Sequence, residues 1–113
     1  PHCPVCGGPM DVNLRQDDRF VQDEAWYAAE ARYGEFLEGA VDKRLVMLEL
    51  GVGFNTPGVI RWPFERILHA DPQATLIRIN PTDLQGPPEN EARTISFGED
   101  TAATIRALLA AGG

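Results

Sequence analysis

Apolar positions in the first half of the chain follow two different patterns. One is a set spaced by three and four residues: Trp26, Ala29, Tyr33, Leu37 and Ala40. With Asp23 before it as an N-cap, this spacing predicts an amphipathic helix of about five turns. The other pattern is segment 45–50, in which every residue except Glu49 is apolar. Such a run is typical of a buried parallel strand.

Helix and strand signals alternate along the second half. Thr56 as an N-cap and Pro57 at the first helical position predict a helix that ends near His69, with Pro63 bending or dividing it. Residues 75–79 and 94–97 contain many β-branched side chains and predict two further strands. Between these strands, segment 81–92 carries several prolines and a glycine, and predicts a long loop.

A last helix closes the pattern. Asp100 or Thr101 is suited to cap it, and Gly112 is suited to end it. The spacing of Ile105, Leu108 and Leu109 predicts that these three side chains face inward.

Strands that alternate with helices predict an α/β fold with right-handed crossovers and a parallel sheet. We expect a partial Rossmann-like sheet of about three strands with flanking helices, because three strands do not complete a doubly wound domain. Residues 1–22 would form part of a small zinc module with a connecting segment, and residues 23–113 the C-terminal half of the Rossmann-like domain.

Composition narrows the class of protein. The 113 residues carry a formal net charge of −7, and 43% of them are hydrophobic, as in a soluble globular chain. The acidic balance and the lack of a Lys/Arg cluster argue against nucleic acid or a membrane surface as a partner. No apolar run approaches the roughly 18 residues of a membrane span. Two cysteines are too few for a disulfide scaffold, so we expect a cytoplasmic protein.

The two cysteines lie in the sequence Cys3-Pro4-Val5-Cys6-Gly7-Gly8. This C-x-x-C followed by two glycines is typical of a zinc knuckle, in which two thiolates hold one ion. A structural zinc site needs four ligands, so we expect the chain to be part of a longer protein with a second C-x-x-C before Pro1. A redox dithiol and an inert reduced pair are the alternatives.

The turn after the first predicted strand is a candidate anion-binding site. Gly51-x-Gly53 follows the predicted buried strand and precedes Asn55 and Thr56 at a predicted helix N-terminus. Glycines in such a turn let backbone amides approach an anion, and a helix N-terminus favours a phosphate. Alternatively, both glycines serve only the turn and the two polar residues only cap the helix.

Two further strand ends are predicted to lie at the same edge of the sheet. Asn80 ends the second strand, where nucleotide-binding folds place a residue that hydrogen-bonds the adenosine ribose. The third strand ends in segment 98–100, which contains Asp100. Asn80-Pro81 could also be an ordinary turn.

The order of these pieces resembles the C-terminal half of a sirtuin. Residues 48–57 (LELGVGFNTP) are similar to the phosphate loop of that family, and Cys3 and Cys6 to its zinc knuckle. The likeness is greatest to divergent bacterial sirtuins, including those encoded beside macrodomains. The resemblance covers nearly the whole chain.

The resemblance implies an NAD site. Gly51, Val52 and Gly53, with Asn55 nearby, would line the diphosphate. Asn80 would face the adenosine ribose, with Pro81 and Thr82 beside it. Asp100 would meet the adenine, and Cys3 and Cys6 would be the second cysteine pair of a structural zinc site. The implied cofactors are therefore NAD and Zn²⁺.

The resemblance also implies a reaction for the longer protein: NAD-dependent protein deacylation or protein ADP-ribosylation, with an acyl-lysine or another protein side chain as acceptor. Segment 17–21 (DDRFV) departs from the deacylase pattern, which leaves ADP-ribosyl transfer open. Neither His2 nor His69 matches the catalytic histidine, so we predict no catalytic residue in this chain and no activity for it alone. The alternatives are a non-catalytic sensor of NAD or ADP-ribose and a zinc-stabilised interaction domain.

Glu49 is the one carboxylate inside a predicted buried strand, where an unpaired charge is costly. We therefore predict an ion pair between Glu49 and either Arg78 or Arg61. A catalytic role is the less favoured alternative.

Overall fold

The computed structural model describes residues 1–112, which fall into two compact units, residues 1–39 and residues 40–112. The elements in chain order are α1 (Glu24–Gly39), β1 (Val46–Leu50), α2 (Arg61–Ala70), β2 (Thr75–Ile79), a 3₁₀ helix (Pro88–Arg93), β3 (Thr94–Phe97) and α3 (Thr101–Ala111). This division groups α1 with the N-terminal residues, whereas the domain boundary predicted from the sequence lies at residues 22 and 23. That boundary stays a prediction.

The second unit is built on a three-stranded parallel sheet in the order β1-β2-β3. The predicted α/β class and the three strands are confirmed, with β2 and β3 at the predicted bounds. The register places Glu49 opposite Arg78 and Arg78 opposite Ser96. Side chains two residues apart share a face, so these three lie on one face of the sheet.

Helix α2 covers that face. The core joins two strand residues, Met47 and Leu76, to Leu68 of α2 and to Ala74. In β1 only Met47 and Glu49 are buried, and the other side chains of the strand are about half-exposed. In the described residues the predicted buried strand is therefore buried on one face only, because β1 packs against α2 on one side.

Helix α2 begins at Arg61, so the prediction of a start at Pro57 is wrong. Thr56 does not cap it: its φ is +55°, and its carbonyl accepts a hydrogen bond from Val59 in a turn. Pro63 lies in the first turn of α2, where backbone N–H groups have no intrahelical acceptor. It therefore removes no hydrogen bond within the helix and does not divide it.

The other two helices begin where the sequence predicts. Asp23 caps α1 by accepting a hydrogen bond of 2.9 Å from the Trp26 amide. Asp100 caps α3 in the same way, at 2.9 Å from the Ala103 amide. The predicted inward face of α3 is wrong at Leu108 and Leu109, which are exposed, and Thr104 is its buried residue.

The N-terminal unit opens with a small hairpin. His2 and Pro9 form an antiparallel bridge, and the Cys3 amide donates to the Gly8 carbonyl at 2.8 Å. Gly7 turns the chain with a φ of +71°, a left-handed conformation that glycine adopts without strain. Among residues 1–112, no helix is both long enough and apolar enough to cross a membrane.

Candidate functional site

Three strand ends meet at one edge of the sheet. The Gly51 amide donates to the Ile79 carbonyl at 2.8 Å, and the Asn80 amide donates to the Phe97 carbonyl at 3.1 Å. Thr101, the first residue of α3, brings its hydroxyl within 3.9 Å of where a Cβ of Gly51 would lie. The structure therefore brings together Gly51, Asn80 and the start of α3, as the sequence predicts.

The turn after β1 is rich in backbone N–H groups without an acceptor. Gly51 has a φ of +65°, which redirects the chain at the end of the strand. No described residue accepts a hydrogen bond from the amides that follow in this turn: Val52, Gly53, Phe54, Asn55, Thr56 and Gly58. Thr56, a β-branched residue, is held at a φ of +55°, a conformation that is strained for its type. An amide-rich, strained turn of this kind is suited to an anion.

The side chain of Asn80 joins this turn to the loop after β2. Only 4% of Asn80 is exposed, and its Nδ2 donates to the Val52 carbonyl at 3.1 Å. Its Oδ1 accepts from the amides of Thr82 and Asp83, each at 2.9 Å. The amide group of Asn80 thus shapes the edge of the site. Its predicted contact with a ribose stays a prediction.

Asp83 is a site residue that the sequence analysis missed. A Cβ added to Gly53 would lie 2.4 Å from the Asp83 carboxylate, so only glycine lets this carboxylate lie against the turn. A carboxylate accepts hydrogen bonds from hydroxyl groups and repels phosphates. The available signal was an acidic residue four positions after the end of β2, close to where dinucleotide-binding folds carry a ribose-binding carboxylate.

Arg61 lies beneath the turn after β1 and the loop after β2. Its guanidinium is fully buried and donates to the carbonyls of Val52 and Asp83, each at 3.0 Å, and to that of Gln85. It also lies 4.0 Å from the centre of the Phe54 ring. Burial, followed by the neighbouring charge of Arg78, lowers the pKa of Arg61.

The predicted ion pair of Glu49 is confirmed, with Arg78 as its partner. Arg78 Nε donates to Glu49 at 2.6 Å, and Arg78 Nη2 donates to Glu65 at 3.0 Å. Burial alone would lower the pKa of Arg78, but hydrogen bonds and attraction from Glu49 and Glu65 outweigh burial and raise it. Both the guanidinium and the Glu49 carboxylate are therefore engaged in the interior, which favours the structural role for Glu49.

Asn55, Pro81 and Thr82 are exposed at the rim of the same edge. Asn55 does not cap α2, because the helix begins six residues later. The Asp100 side chain is engaged in capping α3.

Cys3 and Cys6 lie in the N-terminal hairpin as free thiols. Hydrogen bonds to Cys3, chiefly from the Cys6 and Val5 backbone, lower the pKa of the Cys3 thiol and favour the thiolate that metals bind. Across residues 1–112, however, no group of three or more His, Cys, Asp or Glu side chains could hold a metal ion. Two thiols do not make the tetrahedral set that structural zinc requires, so this structure does not support the predicted zinc site.

Comparison with known proteins gives two relatives, whereas no protein-family model matches the chain. The chain is 34% identical over 110 residues to a "Protein ADP-ribosyltransferase" of Staphylococcus aureus (strain Mu50 / ATCC 700699), an alignment that covers 96% of this chain and 35% of the relative. It is 39% identical over 82 residues to a "Probable bifunctional ADP-ribose hydrolase/ADP-ribosyltransferase" of Fusarium oxysporum f. sp. cubense, which covers 70% of this chain and 14% of that relative.

The similarity therefore relates this chain to proteins named ADP-ribosyltransferases. It spans about a third of the length of the bacterial relative and less of the fungal one.

Proposed function

We propose that this chain forms the adenosine and diphosphate half of an NAD site in a sirtuin-like protein ADP-ribosyltransferase, on a Rossmann-like sheet. The single observation that carries the proposal is the turn 52–58, whose unpartnered amides lie at the carboxyl edge of a parallel sheet, beside Asn80 and Asp83. Ligands of open α/β sheets bind at this edge. The names of the two relatives support ADP-ribose chemistry.

The chemistry of the edge suits two parts of the cofactor. The backbone amides of turn 52–58 would donate to the diphosphate, because partial positive charge on N–H groups favours an anion. The Asp83 carboxylate would accept hydrogen bonds from ribose hydroxyls. The exposed rim residues Pro81 and Thr82 would face the same ribose.

The reaction that we propose for the longer protein is ADP-ribosyl transfer. It would break the bond between nicotinamide and ribose and pass the ADP-ribosyl group to a protein side chain. The names of both relatives include ADP-ribosyltransferase, and that of the bacterial relative includes protein as well. Segment 17–21 departs from the pattern of deacylases. We assign no catalytic residue to this chain, whose share of the work would be to bind and orient the nucleotide.

We also propose that Cys3 and Cys6 are half of a structural zinc site. Their spacing and the lowered pKa of Cys3 suit a metal-binding thiolate pair. Completion of the site would need two ligands from outside residues 1–112. The metal would stabilise the hairpin and take no part in nucleotide binding.

Titration of ADP-ribose into the purified chain tests the nucleotide site. We expect saturable binding that Gly53→Ala weakens about tenfold or more, since the new Cβ must displace the Asp83 carboxylate. Gly58→Ala is the matched control, because a Cβ there would meet only Trp62 in ordinary contact at 3.8 Å. Absence of binding by the unaltered chain, or equal effects of both substitutions, would contradict the proposal.

A further inference from the structure

Four charged side chains form a buried cluster beneath the site. They are Glu49 of β1, Arg78 of β2, and Arg61 and Glu65 of α2, which we call the charge cluster. Their side chains are 0 to 13% exposed, and three ion pairs of 2.6, 3.0 and 3.5 Å connect them. Two carboxylates balance two guanidinium groups, so the cluster is formally neutral.

Some guanidinium N–H groups of the charge cluster face no carboxylate. These groups donate hydrogen bonds to backbone carbonyls. Arg61 reaches the loop after β1 and the loop after β2, and Arg78 reaches the loop after β2 a second time. The acceptors are the carbonyl oxygens of Val52, Asp83, Leu84 and Gln85. These carbonyls belong to the two loops that border the proposed nucleotide site.

Stability alone is a weak reason for such a cluster. Two charges lose their hydration on burial, and a buried ion pair often contributes no more than apolar residues of the same volume would. A guanidinium, however, is planar and rigid, and offers several donors in fixed directions. One buried arginine can therefore hold carbonyls from separate loops at fixed positions, which an apolar side chain cannot do.

We propose that Arg61 is a positioning residue for the nucleotide site, and that Arg78, Glu49 and Glu65 hold Arg61 in place. Arg61 itself is fully buried and contacts the site only from beneath, through the Phe54 ring and backbone carbonyls. It acts through Val52, whose carbonyl also accepts from Asn80, and through Asp83, whose carboxylate lies against Gly53. This inference rests on the proposed nucleotide site.

The loop after β2 packs closely against the charge cluster, which agrees with the proposed positioning role. A Cβ on Gly86 would lie 2.9 Å from Arg78 Nη1 and 3.4 Å from Glu65. The backbone of the loop can therefore approach the charge cluster only where a side chain is missing. The loop is held directly against the guanidinium that also binds Glu49.

The experiment compares Arg61→Lys and Arg61→Met with Arg66→Met, which removes an exposed guanidinium from the same helix. Hydrogen exchange of the ligand-free protein should rise at the hydrogen-bonded loop amides of Val59, Thr82 and Asp83 in both Arg61 variants and stay unchanged in the core segment 75–79. The affinity for ADP-ribose should fall about tenfold in Arg61→Met and less in Arg61→Lys, which keeps the charge and part of the donor set.

Three results would overturn the inference. If Arg61→Met exchanges faster throughout both loops and core alike, Arg61 contributes only to global stability. If it loosens neither loop, or if affinity is unchanged while the unaltered chain binds ADP-ribose, Arg61 positions nothing. Failure of the unaltered chain to bind ADP-ribose would overturn the proposed function as well, and the exchange data would then show separately whether the charge cluster orders the loops.

Discussion

The two faces of the sheet differ in the side chains that they bury. Charged residues are buried on one face, whereas apolar residues are exposed on the other. The face covered by α2 is buried yet carries Glu49 and Arg78 beside its apolar residues. The opposite face carries apolar side chains on both edge strands, yet it is largely open in the described residues: Val46 is 58% and Leu48 53% exposed. We call these the covered face and the open face.

The difference teaches that polarity alone does not decide burial here. Met47 and Leu76 fill the part of the covered face near the start of the strands, and the charged pair lies toward their ends, where the loops of the site begin. Charges are therefore buried only where carbonyls of the loops and side chains of α2 supply partners. The covered face has an apolar part that stabilises the fold and a polar part that shapes the site.

Breaking the ion pair should have the largest effect. Glu49→Leu leaves Arg78 in the interior with Glu65 as its remaining carboxylate, and loss of one partner of a buried pair costs about 3–5 kcal/mol. Leu48→Gln on the open face should change the free energy of unfolding by less than about 0.5 kcal/mol. Urea unfolding measures both. Equal effects would show that the two faces do not differ in this way.

The apolar part of the covered face should come next. Leu68→Ala empties a fully buried position in α2 and should cost about 2–4 kcal/mol. The same substitution at Leu109, which is 72% exposed, should cost less than about 0.5 kcal/mol. Thermal unfolding of both variants measures the two losses of stability. A large loss for Leu109→Ala would contradict the exposed position of Leu109.

A double substitution separates stability from positioning. Glu49→Leu with Arg78→Leu removes both charges of the pair, and should recover about 2 kcal/mol relative to Glu49→Leu alone, since the buried charges of Arg61 and Glu65 then balance again. It should not recover affinity for ADP-ribose, because Arg78 no longer binds the loop after β2. Recovery of both properties would count against a positioning role for the charge cluster.

The smallest effect is expected at Thr56, in the turn that the charge cluster holds. Thr56→Asn should stabilise the protein by about 0.5–1 kcal/mol, because asparagine tolerates a φ of +55° better than a β-branched residue does. Val59→Asn nearby is a control for the polarity of the new side chain. A loss of stability on Thr56→Asn would mean that the turn is not strained.

Much of the fold can be predicted from the sequence because local signals agree with it. The β-branched segments predict β2 and β3 at their observed bounds, and Asp23 and Asp100 are found as caps. Helix α2 starts later than predicted, because Thr56 and Pro57 are consistent with a cap but lie in a turn. Both residue types also occur in turns.

The site is less predictable because long-range contacts build it. The ion pair of Glu49 follows from the expense of a buried charge, so it can be predicted. The role of Arg61 cannot, because it binds carbonyls 22 and 24 residues away through backbone atoms that carry no residue-specific signal. The position of Asp83 against Gly53 likewise depends on how two loops meet.

Mapping ADP-ribose binding by ¹H–¹⁵N NMR spectroscopy on the labelled chain tests the nucleotide site most directly. We expect shifts of the backbone amides of the non-proline residues in segments 51–58, 80–83 and 98–101, and unchanged amide signals from the hairpin 2–9. No shifts at millimolar ADP-ribose, or shifts confined to residues away from these three strand ends, would contradict a nucleotide site at this edge of the sheet.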